Sequence, residues 1–156
     1  FKILIRILKR GYIVNSREFF YKFGVSLYKI DMYYSEYAKK SEIKENEMWI
    51  LYALNDMKEH SQKEISKTWE IPRSTINTIT KDLENRKIIE LKKMEGERRE
   101  LIVKLTDKGK EYTDRVLKDL YEMEKRVFDR ISKKSDQILE DLNSLYQELE
   151  NEKEND

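Results

Sequence analysis

Apolar side chains recur along much of the chain at steps of three and four residues, the spacing that places them on one face of a helix. The first such run predicts a helix over residues 16–40, and a second run predicts a helix over residues 45–57. Further aromatic side chains widen the apolar zone of the first helix, so we expect it to be buried on more than one side, for instance in a dimer. The apolar face of this first helix consists of Phe19, Phe23, Leu27, Ile30, Tyr34 and Tyr37.

Two capping signals mark the next pair of helices. Ser61 followed by Glu64 has the spacing of a capping box and predicts a short helix that runs to about Trp69. Pro72 is the only proline of the chain; it disfavours helical geometry at Ile71 and suits the first turn of a new helix over residues 72–86. The pattern therefore predicts a helix-turn-helix.

After Arg86 the pattern changes from helical to extended. Apolar residues from Ile88 to Leu91 lead into a charged tip over residues 92–100, and alternation resumes from Leu101 to Leu105. This arrangement predicts a β-hairpin. The predicted fold class is mainly α with a small β-hairpin wing: a winged helix-turn-helix flanked by N- and C-terminal dimerisation helices.

Two C-terminal helices are predicted after the hairpin. The first begins at Thr106, and the second carries an apolar seam of coiled-coil type before an acidic tail that we expect to fray. The seam is formed by Ile138, Leu142, Leu145 and Leu149.

Composition excludes several function classes. With 32 basic and 31 acidic residues, net charge does not indicate a partner. The chain has no cysteine and a single histidine, which excludes disulfides and argues against a metal site, so no metal and no cofactor are expected. No Ser/His/Asp set or glycine-rich phosphate loop can be assembled, which argues against an enzyme. No run of about 20 apolar residues predicts a membrane span.

The N-terminal segment over residues 1–14, FKILIRILKRGYIV, has basic residues between apolar ones and lacks the unbroken apolar core of a signal peptide. Such a short basic amphipathic segment could contact a membrane or the DNA backbone. The simpler interpretation is a packing helix or a terminal extension, and no membrane partner is predicted.

The second helix of the helix-turn-helix exposes the chemistry of a groove reader. Short hydrogen-bonding groups dominate its outward face, and asparagine, arginine and threonine methyl groups can each recognise a base edge in the major groove. The hairpin tip adds basic side chains that could reach phosphates or a minor groove. The candidate DNA-binding residues are Arg73, Ser74, Thr75, Asn77, Thr78 and Lys81 on the helix, with Lys92, Lys93, Arg98 and Arg99 on the hairpin.

The segment RRELIVKLTDKGKE, residues 98–111, resembles the MarR family of bacterial winged helix-turn-helix transcription regulators. Leu105, Thr106 and Gly109 match the Leu-Thr-x-x-Gly opening of the helix that follows the wing in that family. The resemblance implies that Arg99 enters the minor groove, with Glu97 in place of the family's usual aspartate. Elsewhere the chain departs from the pattern: Lys87 replaces a glycine of the family, Ser66 stands where helix-turn-helix motifs often have alanine, and Glu70 where they often have glycine.

The resemblance further implies a homodimer that reads a palindromic site in double-stranded DNA. We expect a cytoplasmic regulator, a repressor released by a small aromatic or lipophilic effector, and the expected effector pocket is aromatic. The alternative is a protein-interaction or architectural module without sequence-specific DNA binding. The candidate pocket residues, which ordinary core packing would also explain, are Tyr33, Tyr37, Trp49, Tyr52 and His60.

The expected organisation is one structural domain built from five consecutive segments. These segments are a basic N-terminal extension over residues 1–15, dimerisation and core helices over residues 16–60, the winged helix-turn-helix over residues 61–105, dimerisation helices over residues 106–150 and the acidic tail over residues 151–156.

Overall fold

The computed structural model describes residues 15–94, 96 and 100–154. By their internal contacts, the residues of the chain form two compact units, one comprising Ile30–Tyr121 and the other Phe1–Lys29 with Glu122–Asp156. The N-terminal segment over residues 1–14 and the wing residues Glu95 and Glu97 to Arg99 lie outside the described residues. The predicted domain boundaries stay predictions.

The elements follow the predicted order, and the predicted fold class is confirmed: the chain is mainly helical with a small antiparallel sheet. The helix predicted over residues 45–57 ends earlier, before Met57 takes a positive φ of 62°. The elements are α1 (Ser16–Lys40), α2 (Glu45–Leu54), β1 (His60–Ser61), α3 (Gln62–Trp69), α4 (Arg73–Asn85), β2 (Ile89–Lys93), β3 (Leu101–Leu105) and α5 (Asp107–Glu154).

Helices α3 and α4 form the helix-turn-helix, and polar contacts fix the turn between them. The predicted capping box at the start of α3 is present. Glu70 ends α3 in the left-handed conformation, with φ 49°, and the Ser66 hydroxyl donates to the Ile71 carbonyl over 2.7 Å. In the buried contact between the helices, Gln62 Nε2 donates to Thr80 Oγ1 over 2.7 Å. A buried hydrogen bond of this kind fixes the register of two helices, because either partner alone would be left unsatisfied.

The sheet has three strands in the order β1-β3-β2, one more than the predicted hairpin. Strands β2 and β3 pair with Leu91 opposite Val103, and the additional strand β1 places His60 opposite the same valine. Strand β1 is not predicted from the sequence, because its two residues are too few to display alternation. The sheet thereby connects the hairpin to the start of α3.

Helix α4 ends in a Schellman motif whose left-handed residue is Lys87. The Ile88 N–H donates to the Leu83 carbonyl over 2.9 Å, and the Lys87 N–H donates to the Glu84 carbonyl over 2.8 Å. Lys87 has φ 60°, a region that glycine adopts without steric cost. The helix therefore ends as a helix with glycine would, although a lysine occupies the position.

Thr106 and Gly109 form the junction between the hairpin and α5. The Thr106 hydroxyl accepts from the Gly109 N–H over 2.9 Å and donates to the Lys87 carbonyl over 2.8 Å. A Cβ added at Gly109 would lie 1.8 Å from the Ile88 carbonyl oxygen. The Leu-Thr-x-x-Gly pattern thus has a physical basis: threonine caps the helix, and glycine lets it approach the backbone of the preceding loop.

The prediction of two C-terminal helices is wrong, because α5 is one continuous helix of 48 residues. The segment between the two expected helices contains no glycine or proline, and its serine hydroxyls do not cap a new helix. Instead, the Ser135 hydroxyl donates to the Ser132 carbonyl within the helix over 2.8 Å. The helix also continues through Glu154, so most of the segment expected to fray is helical. No helix in the described ranges is both long and apolar enough to cross a membrane.

A partly buried ionic network joins three helices of the Ile30–Tyr121 unit. Arg86, just after α4, contacts Glu47 of α2 over 2.9 Å, and Tyr112 of α5 donates to the same carboxylate over 3.2 Å. The Arg86 guanidinium lies 5.0 Å from the centre of the Tyr112 ring. Although burial opposes its charge, the hydrogen bonds with Glu47, Asp82 and Tyr112 raise the pKa of Arg86. For Tyr112, in contrast, burial is the main cause of the raised pKa, and the nearby Glu47 carboxylate contributes to it.

The buried apolar residues described all lie between Ala38 and Leu120, within the Ile30–Tyr121 unit. Met48, Leu51, Ile76 and Leu117 are among its fully buried side chains. In the other unit, none of the described residues is buried. Large apolar side chains are exposed there instead: Phe20, Tyr21, Val25, Leu27, Tyr28, Val127, Phe128, Ile131, Ile138, Leu139, Leu142, Tyr146 and Leu149.

Two glycine-to-alanine substitutions provide a matched test of the junction. Gly109→Ala is expected to destabilise the protein by about 3 kcal/mol or more, because the new methyl group meets backbone rather than a movable side chain. Gly24→Ala, within α1, has open space around the added Cβ and is expected to stabilise by about 0.5–1 kcal/mol through helix propensity. Urea unfolding followed by circular dichroism measures both. A Gly109→Ala protein as stable as wild type would contradict this account of the junction.

Candidate nucleic-acid interface and aromatic cluster

The outward face of α4 carries the predicted groove-reading side chains. Ser74, Thr78 and Lys81 are exposed and, at spacings of four and three residues, lie along one side of the helix. Thr75 and Asn77 are half-buried at the edges of this face. The opposite side is buried in the core through Ile76, Ile79, Thr80 and Leu83.

The charge of α4 is unevenly distributed along its length. Its first turn contains no acidic residue, and Arg73 and Lys81 are the ionisable residues among its first nine. The acidic residues Asp82 and Glu84 follow near its end. Because a helix N-terminus is itself electropositive, this end of α4 offers a surface suited to an anion.

Thr78 has its hydroxyl proton engaged within the helix, since it donates to the Ser74 carbonyl over 2.9 Å. The hydroxyl oxygen therefore offers an acceptor rather than a free donor to a partner. The methyl group of the same side chain is chemically suited to contact a thymine methyl.

Arg73 begins α4 and differs from its neighbours, because a buried acid engages it. Its Nη2 lies 2.6 Å from Glu100 Oε2, and Glu100 is only 5% exposed. The sequence pattern places Glu100 in the charged tip of the predicted hairpin, whereas the structure buries it. Strand alternation could not have revealed this contact, because Glu100 precedes the first residue of β3 and is outside its pleat.

The hairpin places the two predicted lysines of β2 on opposite faces, as successive strand residues must be. Lys92 lies on the outer face, 3.7 Å from both Glu59 and Glu90. Lys93 lies on the face that also carries the buried Ile89, and among the described residues it has no ion pair. Arg98 and Arg99 lie outside the described residues, so their predicted contacts stay predictions.

Five half-buried aromatic side chains form a cluster within the Ile30–Tyr121 unit, here called the aromatic cluster. Trp49 and Trp69 stack with their ring centres 5.0 Å apart. Tyr34 lies 5.0 Å from Trp49, and Tyr52 lies 5.8 Å from Trp49 and 5.3 Å from Tyr121. The cluster joins α1, α2, α3 and α5 and contains both tryptophans of the chain.

The predicted pocket residues are only partly brought together. Trp49 and Tyr52 belong to the aromatic cluster, whereas Tyr33 is 51% exposed and contacts only the edge of this group, through Tyr34. Tyr37 donates its hydroxyl to the Val116 carbonyl over 2.8 Å.

His60 is engaged elsewhere. Its Nε2 lies 2.9 Å from Asp56 Oδ1, and this hydrogen bond is the main cause of the lowered pKa of Asp56. Its Nδ1 lies 3.7 Å from Glu64.

Sequence reasoning missed three members of the aromatic cluster as site residues, namely Tyr34, Trp69 and Tyr121. Each lies at a helical position whose spacing also fits ordinary core packing, so no local signal separates the two roles. Next to the cluster, Asn55 Nδ2 donates to the Tyr121 hydroxyl over 3.1 Å. Asn55 Oδ1 is buried and accepts no hydrogen bond from the described residues. The edge of the cluster therefore has a free acceptor, which a hydroxyl or N–H group could satisfy.

Metal chemistry has no evident site in the part of the chain that the structure describes. No three histidine or acidic side chains converge there in a way that could hold an ion. The described candidate surfaces therefore offer hydrogen-bonding groups, positive charge and aromatic rings to a partner.

A family model described as the MarR family matches residues 41–100, from the end of α1 to the base of the wing. The predicted resemblance to the MarR family is confirmed. The matched range contains all of α4 and most of the aromatic cluster, so both candidate surfaces lie largely within the MarR-like segment. No curated protein matches the chain in sequence.

Solved structures extend the likeness in fold beyond this segment. A MarR family regulator from Neisseria meningitidis matches with a TM-score of 0.75 and 24% identity, over 83% of this chain and 92% of that one. The transcriptional regulator BldR from Sulfolobus solfataricus matches with a TM-score of 0.67 and 18% identity, over 86% and 99%. NadR, in complex with 4-hydroxyphenylacetate, matches with a TM-score of 0.67 and 14% identity, over 86% and 94%. At these identities the likeness shows the fold.

Proposed function

We propose that this chain is a dimeric transcription regulator that binds a palindromic site in double-stranded DNA. In this proposal it acts in the cytoplasm by binding rather than by catalysis, and it represses until a small aromatic or lipophilic molecule releases it. The observation that carries the proposal is the exposed face of α4, where Ser74, Thr78 and Lys81 form a polar stripe beside an acid-free helix N-terminus. The match to the MarR family supports the same function.

The DNA contacts are proposed for both parts of the winged motif. Ser74, Thr78 and Lys81, together with Arg73, Thr75 and Asn77, would read bases and phosphates in the major groove. The hairpin would contact the adjacent backbone or minor groove through Lys93, Arg98 and Arg99, with Lys92 contributing less because acidic side chains surround it.

The homodimer is proposed from the unit formed by residues 1–29 and 122–156. Its described part buries no side chain yet exposes apolar residues on both helices, which a monomeric soluble protein seldom tolerates over a large area. The seam of Ile138, Leu142, Leu145 and Leu149 has the spacing that two helices use when they pack together. A second copy of the chain would cover this surface, and the two-fold symmetry of such a dimer suits a palindromic site.

The effector is proposed to bind at the aromatic cluster. Half-buried rings offer an apolar surface, and Asn55 Oδ1 offers a free acceptor beside it. A small aromatic compound with a hydroxyl donor would match both features. NadR, a solved structure of similar fold, is in complex with 4-hydroxyphenylacetate, a compound of this kind, and this supports the proposal.

The dimer is tested by a charge in the seam. Leu142→Lys is expected to shift the protein from dimer to monomer in sedimentation velocity at micromolar concentration, because a buried unpaired charge opposes association. The matched control is Asn143→Lys, which adds the same charge at the exposed neighbouring position. A monomeric wild type, or a Leu142→Lys protein as dimeric as the control, would contradict the proposal.

DNA binding is tested by selecting bound fragments from the source genome and then comparing the two lysines of β2. Lys93→Ala is expected to weaken binding to the selected site and to reduce the slope of log affinity against log salt by about 1. Lys92→Ala, which removes the same charge from the opposite face, is expected to stay close to wild type. If selection recovers no preferred duplex, the chain is better explained as an interaction or architectural module.

Effector binding is tested with tryptophan fluorescence, because both tryptophans of the chain lie in the aromatic cluster. Titration with 4-hydroxyphenylacetate is expected to change the emission and to release bound DNA over the same concentration range. Phenylacetate, which lacks the hydroxyl, is expected to bind about tenfold more weakly, and Asn55→Ala is expected to abolish this preference. If neither compound changes the emission at millimolar concentration, this result would count against the cluster as the effector site.

A further inference from the structure

The carboxylate of Glu100 joins three elements of the winged motif. Its Oε1 accepts from the Lys63 N–H over 2.8 Å, in the first turn of α3. Its Oε2 accepts from Arg73 Nη2 over 2.6 Å, at the first residue of α4. Glu100 itself is at the base of the wing, where its carbonyl accepts from the Met94 N–H over 3.1 Å. One buried side chain therefore connects the wing to both helices of the helix-turn-helix.

Stability alone does not explain a carboxylate at this position. Removing a charge from water costs free energy, and a buried ion pair is often no more stabilising than apolar residues of similar size. What a charged, hydrogen-bonded pair adds is direction, because the short contact restricts the arginine to few rotamers. The main effect of this pair is therefore on the orientation of the Arg73 side chain.

The Arg73 side chain is anchored at one nitrogen while 56% of its surface stays exposed. A guanidinium has five N–H donors in a rigid plane, so the contact with Glu100 leaves other donors directed outward. These donors lie at the N-terminal end of α4, the part of a recognition helix that contacts base edges. An anchored side chain also loses less conformational entropy on binding than a free one.

We propose that Glu100 is a positioning residue that orients Arg73 to read a guanine edge, and so contributes to DNA sequence specificity. This inference rests on the proposed DNA-binding function. Guanine is the base that fits, because its O6 and N7 acceptors match two donors of one guanidinium. Arg73 contacts the base, whereas Glu100 acts only through Arg73.

The ion pair of Glu100 and Arg73 should affect the affinity for a specific DNA site differently from the affinity for random DNA. Glu100 offsets the positive charge of Arg73, so this arginine adds little to the general attraction of phosphates. Removing the carboxylate charge should therefore leave non-specific affinity unchanged or higher, while base preference falls. A merely structural defect would instead lower both.

Glu100→Gln tests the proposal in the full-length chain, since glutamine preserves the shape and can still accept from the Lys63 N–H. The measured quantity is the ratio of affinity for the selected genomic site to affinity for random duplex, at one salt concentration. We expect this ratio to fall about tenfold, with the base preference lost at one position of each half-site. Loss of affinity that is uniform across all sequences would overturn the proposal.

Three comparisons separate this effect from general changes in charge or stability. Glu90→Gln removes an exposed carboxylate from the outer face of the sheet and should leave the ratio unchanged. In an Arg73→Ala background, Glu100→Gln should change the ratio no further, and additive effects would contradict the proposed coupling. Arg73→Lys preserves the charge but not the planar fork, and its measurement does not depend on the folding of the Glu100 variant. It should lose the same base preference, and retention of that preference would also overturn the proposal.

The result for the wild-type protein distinguishes failure of the proposed DNA-binding function from failure of the proposed role of Glu100. If the wild type selects no preferred duplex, the proposed function fails. If the wild type selects a site and Glu100→Gln keeps the ratio unchanged, only the positioning role of Glu100 fails.

Discussion

The close approach of α5 to the Ile88 carbonyl is the constraint on which the winged motif depends. This carbonyl accepts from the Thr106 N–H over 3.0 Å and occupies the space that a side chain at residue 109 would need. The end of α4, the start of β2 and the start of α5 therefore meet at one backbone contact. Because helices and paired strands are stiff, fixing this point also fixes where α4 ends and where the hairpin begins.

Buried polar contacts add orientation to a core whose apolar contacts are not directional. The hydrogen bond between Gln62 and Thr80 fixes the register of α3 against α4, and the ion pair of Glu47 and Arg86 connects the end of α4 to α2. Glu100 performs the same role at the other end of α4, where it also engages the exposed Arg73. Apolar packing alone tolerates small rotations of a helix, whereas an unsatisfied buried donor or acceptor does not. The outward face of α4 is thus held from both ends.

The two compact units differ in what one chain can stabilise by itself. Residues 30–121 bury an apolar core of ordinary composition, whereas the described part of the other unit leaves its apolar side chains exposed. An apolar surface of this kind links oligomeric state to folding, because covering it is favourable. The surfaces proposed for association and for DNA recognition thus lie in different parts of the chain, which is compatible with the proposed regulator, whose half-sites would be read by separate copies.

Local patterns determined most of the elements of this protein, because their causes are local. The capping box at Ser61, the proline before Arg73 and the Leu-Thr-x-x-Gly opening of α5 act within a few residues, and each was readable in the sequence. The prediction of two C-terminal helices is wrong, because a serine hydroxyl can donate to a carbonyl within a continuous helix as well as cap a new one. Tertiary structure alone decided the burial of Glu100, the contact of Lys92 with Glu59, and the membership of the aromatic cluster. These features depend on residues far apart in the chain, and charge or spacing in sequence does not reveal which groups meet when the elements pack.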